Sequence, residues 1–199
     1  MQVINKEELF NSKRKYLKKM SESLFIYPTD SIYGLGCDAT NPELVDKLRR
    51  VKKSNLQPLS IIAPSKKWIE QNCVISDAQK EYFESLGSKI KINNKDHCFT
   101  LILKLKNKSA VAHNVSQGAQ TIGVRIPSNW FSNVVSDFNR PIVTTSANPT
   151  GEDIMTSLDD LNDSIKKVVD FIVYEGEKKS VPSTIINLIE SQIKVTARK

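Results

Sequence analysis

Long apolar runs are missing from this sequence. Nothing in its 199 residues approaches the roughly 20 consecutive apolar positions that cross a bilayer, so no membrane partner is expected. The N-terminal MQVINKEELFNSKRKYLKKM is charged throughout and lacks a signal peptide's apolar segment, which points to a cytoplasmic protein. Cysteine is sparse as well. Cys37, Cys73 and Cys98 lie far apart with no Cys-x-x-Cys pair, which argues against a zinc or dithiol motif and predicts reduced, structural thiols. The two histidines, His97 and His113, have no metal-ligand spacing, and no Gly-x-Ser-x-Gly occurs, so a hydrolytic triad and a protein-caged metal are not expected. No Gly-x-x-x-x-Gly-Lys-Ser/Thr is present, and any ATP must be held without a P-loop. Aromatic residues make up 7% of the chain and do not cluster as a platform for stacked bases.

What is present is an ordinary globular composition, 39% hydrophobic and 26% charged, in a length suited to one domain over residues 1–199. Twenty-nine Lys and Arg against 22 Asp and Glu leave a formal charge of +7. Such a surface attracts polyanions, either nucleotide phosphates or nucleic acid, or merely keeps the protein in solution.

Periodicity supplies the elements. Val3, Ile4, Phe10, Tyr16 and Leu17, set among charges, predict an amphipathic first helix, followed by a strand over residues 24–27. Asn41 and Pro42 suit the cap and first position of a helix that runs to Lys52. PLSIIAP (58–64), CFTLILKL (98–105), TIGVRIP (121–127) and RPIVTTSAN (140–148) read as strands, and residues 130–138 as a helix. Ser65 and Ser76 can each cap a short helix, the latter with Gln79 as a capping box. A helix near 157–166, a strand at 168–173, strands within STIINLI and IKVTA, and a mobile loop over 176–183 complete the pattern. The expectation is an α/β fold, a twisted mixed β-sheet flanked by helices.

The stretch FIYPTDSIYGLGCDA (25–39) contains a formal Gly-x-Gly-x-x-Ala. A dinucleotide fingerprint does not fit it. Pro-Thr-Asp separates strand from glycines, the next helix starts only at Asn41, and residues 51–60 hold no acid for a ribose.

Taken together, YPTDSIYGLGCDAT, TIGVRIP, TTSANPTGE and PSTIINL follow the order and spacing of the YrdC-like family, the threonylcarbamoyl-adenylate synthases of tRNA N6-threonylcarbamoyladenosine formation. The resemblance spans about residues 22–190. It implies an open, basic, concave cavity and a reaction in which L-threonine and bicarbonate give a carbamate that attacks the α-phosphate of ATP. Mg2+ would arrive with the ATP. It further implies that the glycines of YPTDSIYGLG permit close backbone approach at a threonine pocket.

The resemblance carries roles onto particular residues. Lys52, Ser146 and Asn148 take the catalytic positions and, with Lys53, Ser183, Thr184 and Arg198, the ATP-binding ones. Thr29, Tyr33, Thr121 and Arg125 take the threonine-binding ones. Each has a plainer reading beside it: an Asx-type turn before Pro149 for Ser146 and Asn148, turn capping for Thr29, core packing for Tyr33, a surface ion pair for Arg125. Thr121 and Arg125 share a strand face by alternation.

Two segments depart from the family. RRVKKSNLQPLS is one residue short where a Lys-x-Arg is usual, leaving Lys53 or Ser54 opposite the arginine, and a lysine lacks arginine's planar fork. Asp96, His97 and Cys98 stand where Pro-Gly-Pro is usual. The implied partners are ATP, L-threonine, bicarbonate, tRNA or other RNA, and the proteins of a threonylcarbamoyl-transferase complex. The alternatives are an RNA-binding module and a relative that uses a different carbamoyl substrate.

Overall fold

Runs such as LFIYP and FIV are apolar at every position because the strands they form are buried on both faces. The computed structural model describes residues 1–54, 57–189 and, for the backbone alone, 194–196. Its strands are β1 (Gln2–Ile4), β2 (Leu24–Pro28), β3 (Tyr33–Gly36), β4 (Ser60–Ile62), β5 (Cys73–Val74), β6 (Ile90–Ile92), β7 (Lys95–His97), β8 (Phe99–Leu105), β9 (Thr121–Arg125), β10 (Ile142–Ser146), β11 (Val169–Val173), β12 (Thr184–Asn187) and β13 (Lys194–Thr196). The helices are α1 (Lys6–Asn11), α2 (Lys13–Glu22), α3 (Pro42–Lys52), α4 (Lys66–Asn72), α5 (Lys80–Glu84), α6 (His113–Ser116), α7 (Phe131–Phe138) and α8 (Asp163–Lys166).

One sheet runs in the order β1-β11-β2-β3-β10-β4-β9-β8-β12-β13, with β5 paired to β8. It is mixed. β1, β11 and β2 are parallel, as are β4 with β9 and β8 with β12, while the other neighbours are antiparallel. The expected mixed sheet flanked by helices is therefore observed.

Strand alternation sends side chains to two cores. Leu24, Ile26, Ile61 and Val143 pack with residues of α3, α4, α5 and α6. Phe25, Tyr27, Ile62 and Ile142 pack on the other face with α1, α2 and α7. On that second face Gly34 and Gly36 lie under the Tyr27 ring. A Cβ on either would stand 2.8 Å from a ring carbon, and one on Gly36 also 2.6 Å from the Val143 carbonyl. An aromatic ring of the core thus makes close approach to both glycines, and Gly34 also lines the cavity described below.

The cap of α3 is as the sequence predicts. Asn41 accepts from the Glu43 and Leu44 amides at 3.0 and 3.2 Å, and Pro42 opens the helix. The first helix is different. Val3 and Ile4 belong to β1, pairing with β11, because β-branched residues suit an extended edge strand. The helix begins only after Asn5, whose side chain accepts from the Glu8 amide at 2.9 Å while Glu8 accepts from the Asn5 amide at 2.8 Å, and it breaks at Ser12. The helix expected near 157–166 shrinks to Asp163–Lys166. Asp160 accepts from the Thr156 and Ser157 amides and turns the preceding chain, and Asn162 caps what remains. A β6–β7 hairpin, closed by Asn93 and Asn94 at φ 49° and 62°, had no clear signal in the sequence.

Candidate functional site

The second sheet face changes character part-way across. Ser60 lies two residues from Ile62, and Thr144 and Ser146 lie two and four from Ile142, so all share the face that α7 covers elsewhere. Here the covering residues are the loops around 148–154 and 182–183, and between them and the sheet lies a cavity of about 330 Å³. A second space of about 540 Å³ shares Ser60, Thr144, Ser146 and Asn148 and extends to Lys52. Gly123 keeps the floor open. A Cβ there would collide with the Ser60 hydroxyl and meet the Thr100 methyl at 3.1 Å. Ser60, Thr100, Thr144 and Ser183 therefore form a hydroxyl-lined floor, with Thr100 and Ser183 bonded to each other at 2.9 Å.

One wall is the turn that follows β2. Thr29 donates from its hydroxyl to the Ile32 carbonyl at 2.7 Å and accepts the Ser31 amide at 3.1 Å, which closes the turn and presents Thr29 to the cavity. Arg125, at the end of β9, is buried and donates to the Asp30 carboxylate and, at 3.0 Å, to the Ser31 hydroxyl. Burial pushes the Asp30 carboxyl up, but the Arg125 charge and the hydrogen bonds from Ser128 outweigh it and hold the group below its ordinary value.

A second wall is the Ser146–Asn148 turn, joined to β3 where the Ala147 amide donates to the Tyr33 carbonyl at 3.2 Å. Lys52, buried at the end of α3, reaches it with its ammonium. Nζ donates to the Ser146 carbonyl at 2.8 Å, the Asn148 Oδ1 at 3.2 Å, the Ser146 hydroxyl at 3.3 Å and the Asn148 carbonyl. The Thr150 amide bonds back to the Lys52 carbonyl at 2.9 Å. Helix end and turn are thus one unit, with a positive charge inside it.

Tyr33 lines the cavity but uses its hydroxyl on the loop over 174–183. It donates to the Gly176 carbonyl at 2.6 Å and accepts the Glu175 amide at 3.0 Å. Burial pushes its phenol up to about 12. Lys178 pins the same loop, donating to the Thr29 carbonyl at 3.0 Å and pairing with Glu175 at 2.6 Å. The stretch the sequence marks as a loop has no helix or strand from Tyr174 to Ser183, and these bonds tie it to the cavity wall.

Of the residues singled out from the sequence, Thr29, Tyr33, Arg125, Ser146, Asn148 and Ser183 meet around this cavity, with Lys52 at the adjoining space. Thr121, four residues back along β9 from Arg125, does not line it. Lys53 is exposed, closes α3 at φ 52° and pairs with Glu152 at 3.2 Å. Thr184 is buried at the start of β12, 3.2 Å from His97 Nδ1. Arg198 lies outside the described residues. Asp30, Ser60, Thr100 and Glu152 join the site without having been marked in advance. For Asp30 the signal was its place in the Pro-Thr-Asp turn, but for Ser60 and Thr100 only strand register reveals it.

The family model described as "Telomere recombination", that of the Sua5, YciO and YrdC proteins, matches residues 19–198. The chain belongs to this Sua5/YciO/YrdC family. A Methanocaldococcus jannaschii relative, provisionally named a threonylcarbamoyl-AMP synthase, is 31% identical over 199 residues, covering 96% of this chain and 89% of that protein. The crystal structure of P. abyssi Sua5 with L-threonine has a TM-score of 0.78 at 22% identity, over 98% of this chain and 56% of that one. Full-length HypF in its phosphate- and nucleotide-bound form gives 0.75 at 18%, over 92% and 28%. The chain spans about half the length of that Sua5 and about a quarter of HypF, and at these identities the likeness establishes the fold. The synthases named within the family are nucleotidyl-transferring enzymes.

In a member of the Sua5/YciO/YrdC family the hydroxyl floor can donate to phosphate oxygens, and the Arg125 wall can meet a carboxylate. Among the described residues no three His, Cys, Asp or Glu side chains gather to hold a metal ion, and no helix is long and apolar enough to cross a membrane.

Proposed function

We propose that the chain is an L-threonylcarbamoyladenylate synthase acting in the cytoplasm as a single domain. The L-threonine amine takes up CO2 with loss of a proton, or bicarbonate with loss of water, to form a carbamate that reacts with ATP. The carbamate oxygen forms a bond to the α-phosphorus, the bond from that phosphorus to the bridging oxygen breaks, and pyrophosphate leaves with the electron pair. The observation that carries this reading is the make-up of the cavity wall: Lys52 with Ser146 and Asn148 in one turn, Arg125 held beside the Thr29 turn, and hydroxyls along the floor.

Attack at phosphorus needs alignment and charge more than covalent help. Ser146 and Asn148 hold the α- and β-phosphate oxygens, backed by the Lys52 ammonium inside their turn, and Ser183 on the floor extends that grip, while Thr184 anchors the start of β12 against His97. Lys53 adds charge at the outer phosphates once it leaves Glu152, and Arg198, outside the described residues, is assigned to ATP by the family resemblance alone. Arg125 takes the amino-acid carboxylate, and Thr29, its hydroxyl bonded within its own turn, lines the place of the substrate side chain. Tyr33 shapes the pocket through its grip on the 174–183 loop. Magnesium, carried in on the triphosphate, neutralises charge there. The adenylate is labile, so proteins of a transferase complex receive it and pass the threonylcarbamoyl group to tRNA.

A second reading, a relative that uses another small carbamate, is favoured by one observation. The Lys-x-Arg position has no arginine, and Lys53 turns to Glu152 instead. One experiment separates the two: pyrophosphate release from ATP and Mg2+ with and without L-threonine and bicarbonate, and with serine or carbamoyl phosphate in place of threonine. The synthase reading expects release only when threonine and bicarbonate are both present. Release with carbamoyl phosphate alone, or none under any condition, overturns it.

A further inference from the structure

Asp30 is bound more completely than a turn requires. One carboxylate oxygen accepts from Arg125 Nη2, and the other accepts from the Ser128 amide at 2.7 Å and the Ser128 hydroxyl at 2.9 Å. The Arg125 and Asp30 side chains are 6% and 7% exposed. Asp30 does not line the cavity, whereas Arg125 does. The carboxylate therefore stands behind the guanidinium, and the segment after β9 is clamped to it by Ser128.

A buried ion pair is a poor device for stability alone. Removing two charges from water offsets most of their attraction, and an apolar pair of similar volume serves a fold as well. This pair is also imperfect, because Arg125 Nε is buried with no hydrogen-bond partner. Fold stability does not account for such an arrangement, but the need for a guanidinium in one fixed orientation at a cavity wall does.

We infer that Asp30 is a positioning residue: together with Ser31 and Ser128 it fixes the plane of Arg125, so that the carboxylate of an amino-acid substrate meets donors already in place. This rests on reading the cavity as a threonine site. Arginine has many rotamers, and a side chain locked before binding loses less entropy when the ligand arrives. Charge alone predicts the reverse. Neutralising Asp30 makes the wall more positive, so if Arg125 acted only through its charge, an Asp30→Asn variant would hold a carboxylate more tightly. Positioning predicts weaker binding, and the two differ in sign.

The test is calorimetric titration of the full chain with L-threonine, with L-threonine amide, which lacks the carboxylate, and with ATP. The wild type is expected to prefer threonine over the amide. In Asp30→Asn that preference collapses, threonine binding weakens at least about tenfold, and ATP affinity is unchanged. Ser128→Ala, which keeps the ion pair and the Ser128 amide bond but removes the hydroxyl's bond to Asp30, gives a smaller loss in the same direction and serves if Asp30→Asn does not fold. Threonine binding as tight as wild type or tighter in folded Asp30→Asn, or an unaltered Ser128→Ala, overturns the inference and leaves the synthase reading intact. A wild-type protein that takes up no threonine defeats the synthase reading itself.

Discussion

On one face of the sheet, Phe25, Tyr27, Ile62 and Ile142 are sealed from water by α1, α2 and α7, whereas farther along the same face Ser60, Thr100, Thr144 and Ser146 look into a cavity. The boundary passes through single strands. β10 begins at buried Ile142 and ends in Thr144 and Ser146, and antiparallel β4 starts at Ser60 and reaches buried Ile62. A continuous ladder of strand pairs runs through both halves, so the backbone that carries the hydroxyls is the core's own. The site is the core's own sheet with its covering helices left off, a floor on which substrate groups can be placed.

The largest effect is expected on the apolar half. Tyr27 stacks on Phe131 at 4.7 Å between ring centroids and fills the space above Gly34 and Gly36. Tyr27→Ala should lower unfolding free energy by about 3–5 kcal/mol, read from denaturant melts. Little loss there would mean that the two halves are not differently packed. On the hydroxyl half, Gly123→Ala drives a methyl into Ser60 and Thr100. A cost of about 1–3 kcal/mol is expected, with ATP affinity falling by more than stability explains, measured by melts and titration side by side. Unaltered ATP binding would remove the floor from the site.

The smallest effect belongs to Tyr33, where core and cavity meet. Burial raises its pKa from near 10 to about 12, so the folded protein keeps the phenolic proton that the unfolded chain releases first. The stability this confers is complete below pH about 10 and is lost as the pH rises towards about 12. Tyr33→Phe should flatten that part of an alkaline melting series, and an unchanged profile would show that another group titrates there.

Much of this arrangement could be read from the chain. Asn41-Pro42 announced α3, and TTSANPTGE and YPTDSIYGLG carried the family likeness that the matching model bears out. Val3 and Ile4 misled, since an apolar pair before a charged helix reads as the helix's first turn until a parallel partner strand, residues 169–173, is brought alongside. The 157–166 helix was overstated because Asp160 spends its carboxylate on the backbone of a turn, a local competition that periodicity does not register.

The sequence alone determined the family, the mixed sheet and six of the residues that line the cavity, because turn chemistry, caps and alternation act within a few positions of each other. Tertiary structure decided what the side chains face. That Gly34 and Gly36 serve a tyrosine ring, that Lys52 closes on the Ser146 turn nearly a hundred positions away, and that Asp30 stands behind Arg125 all depend on strand order and register. Contacts between residues so far apart in the chain leave no mark on the local pattern of either, and only the folded sheet brings them within reach.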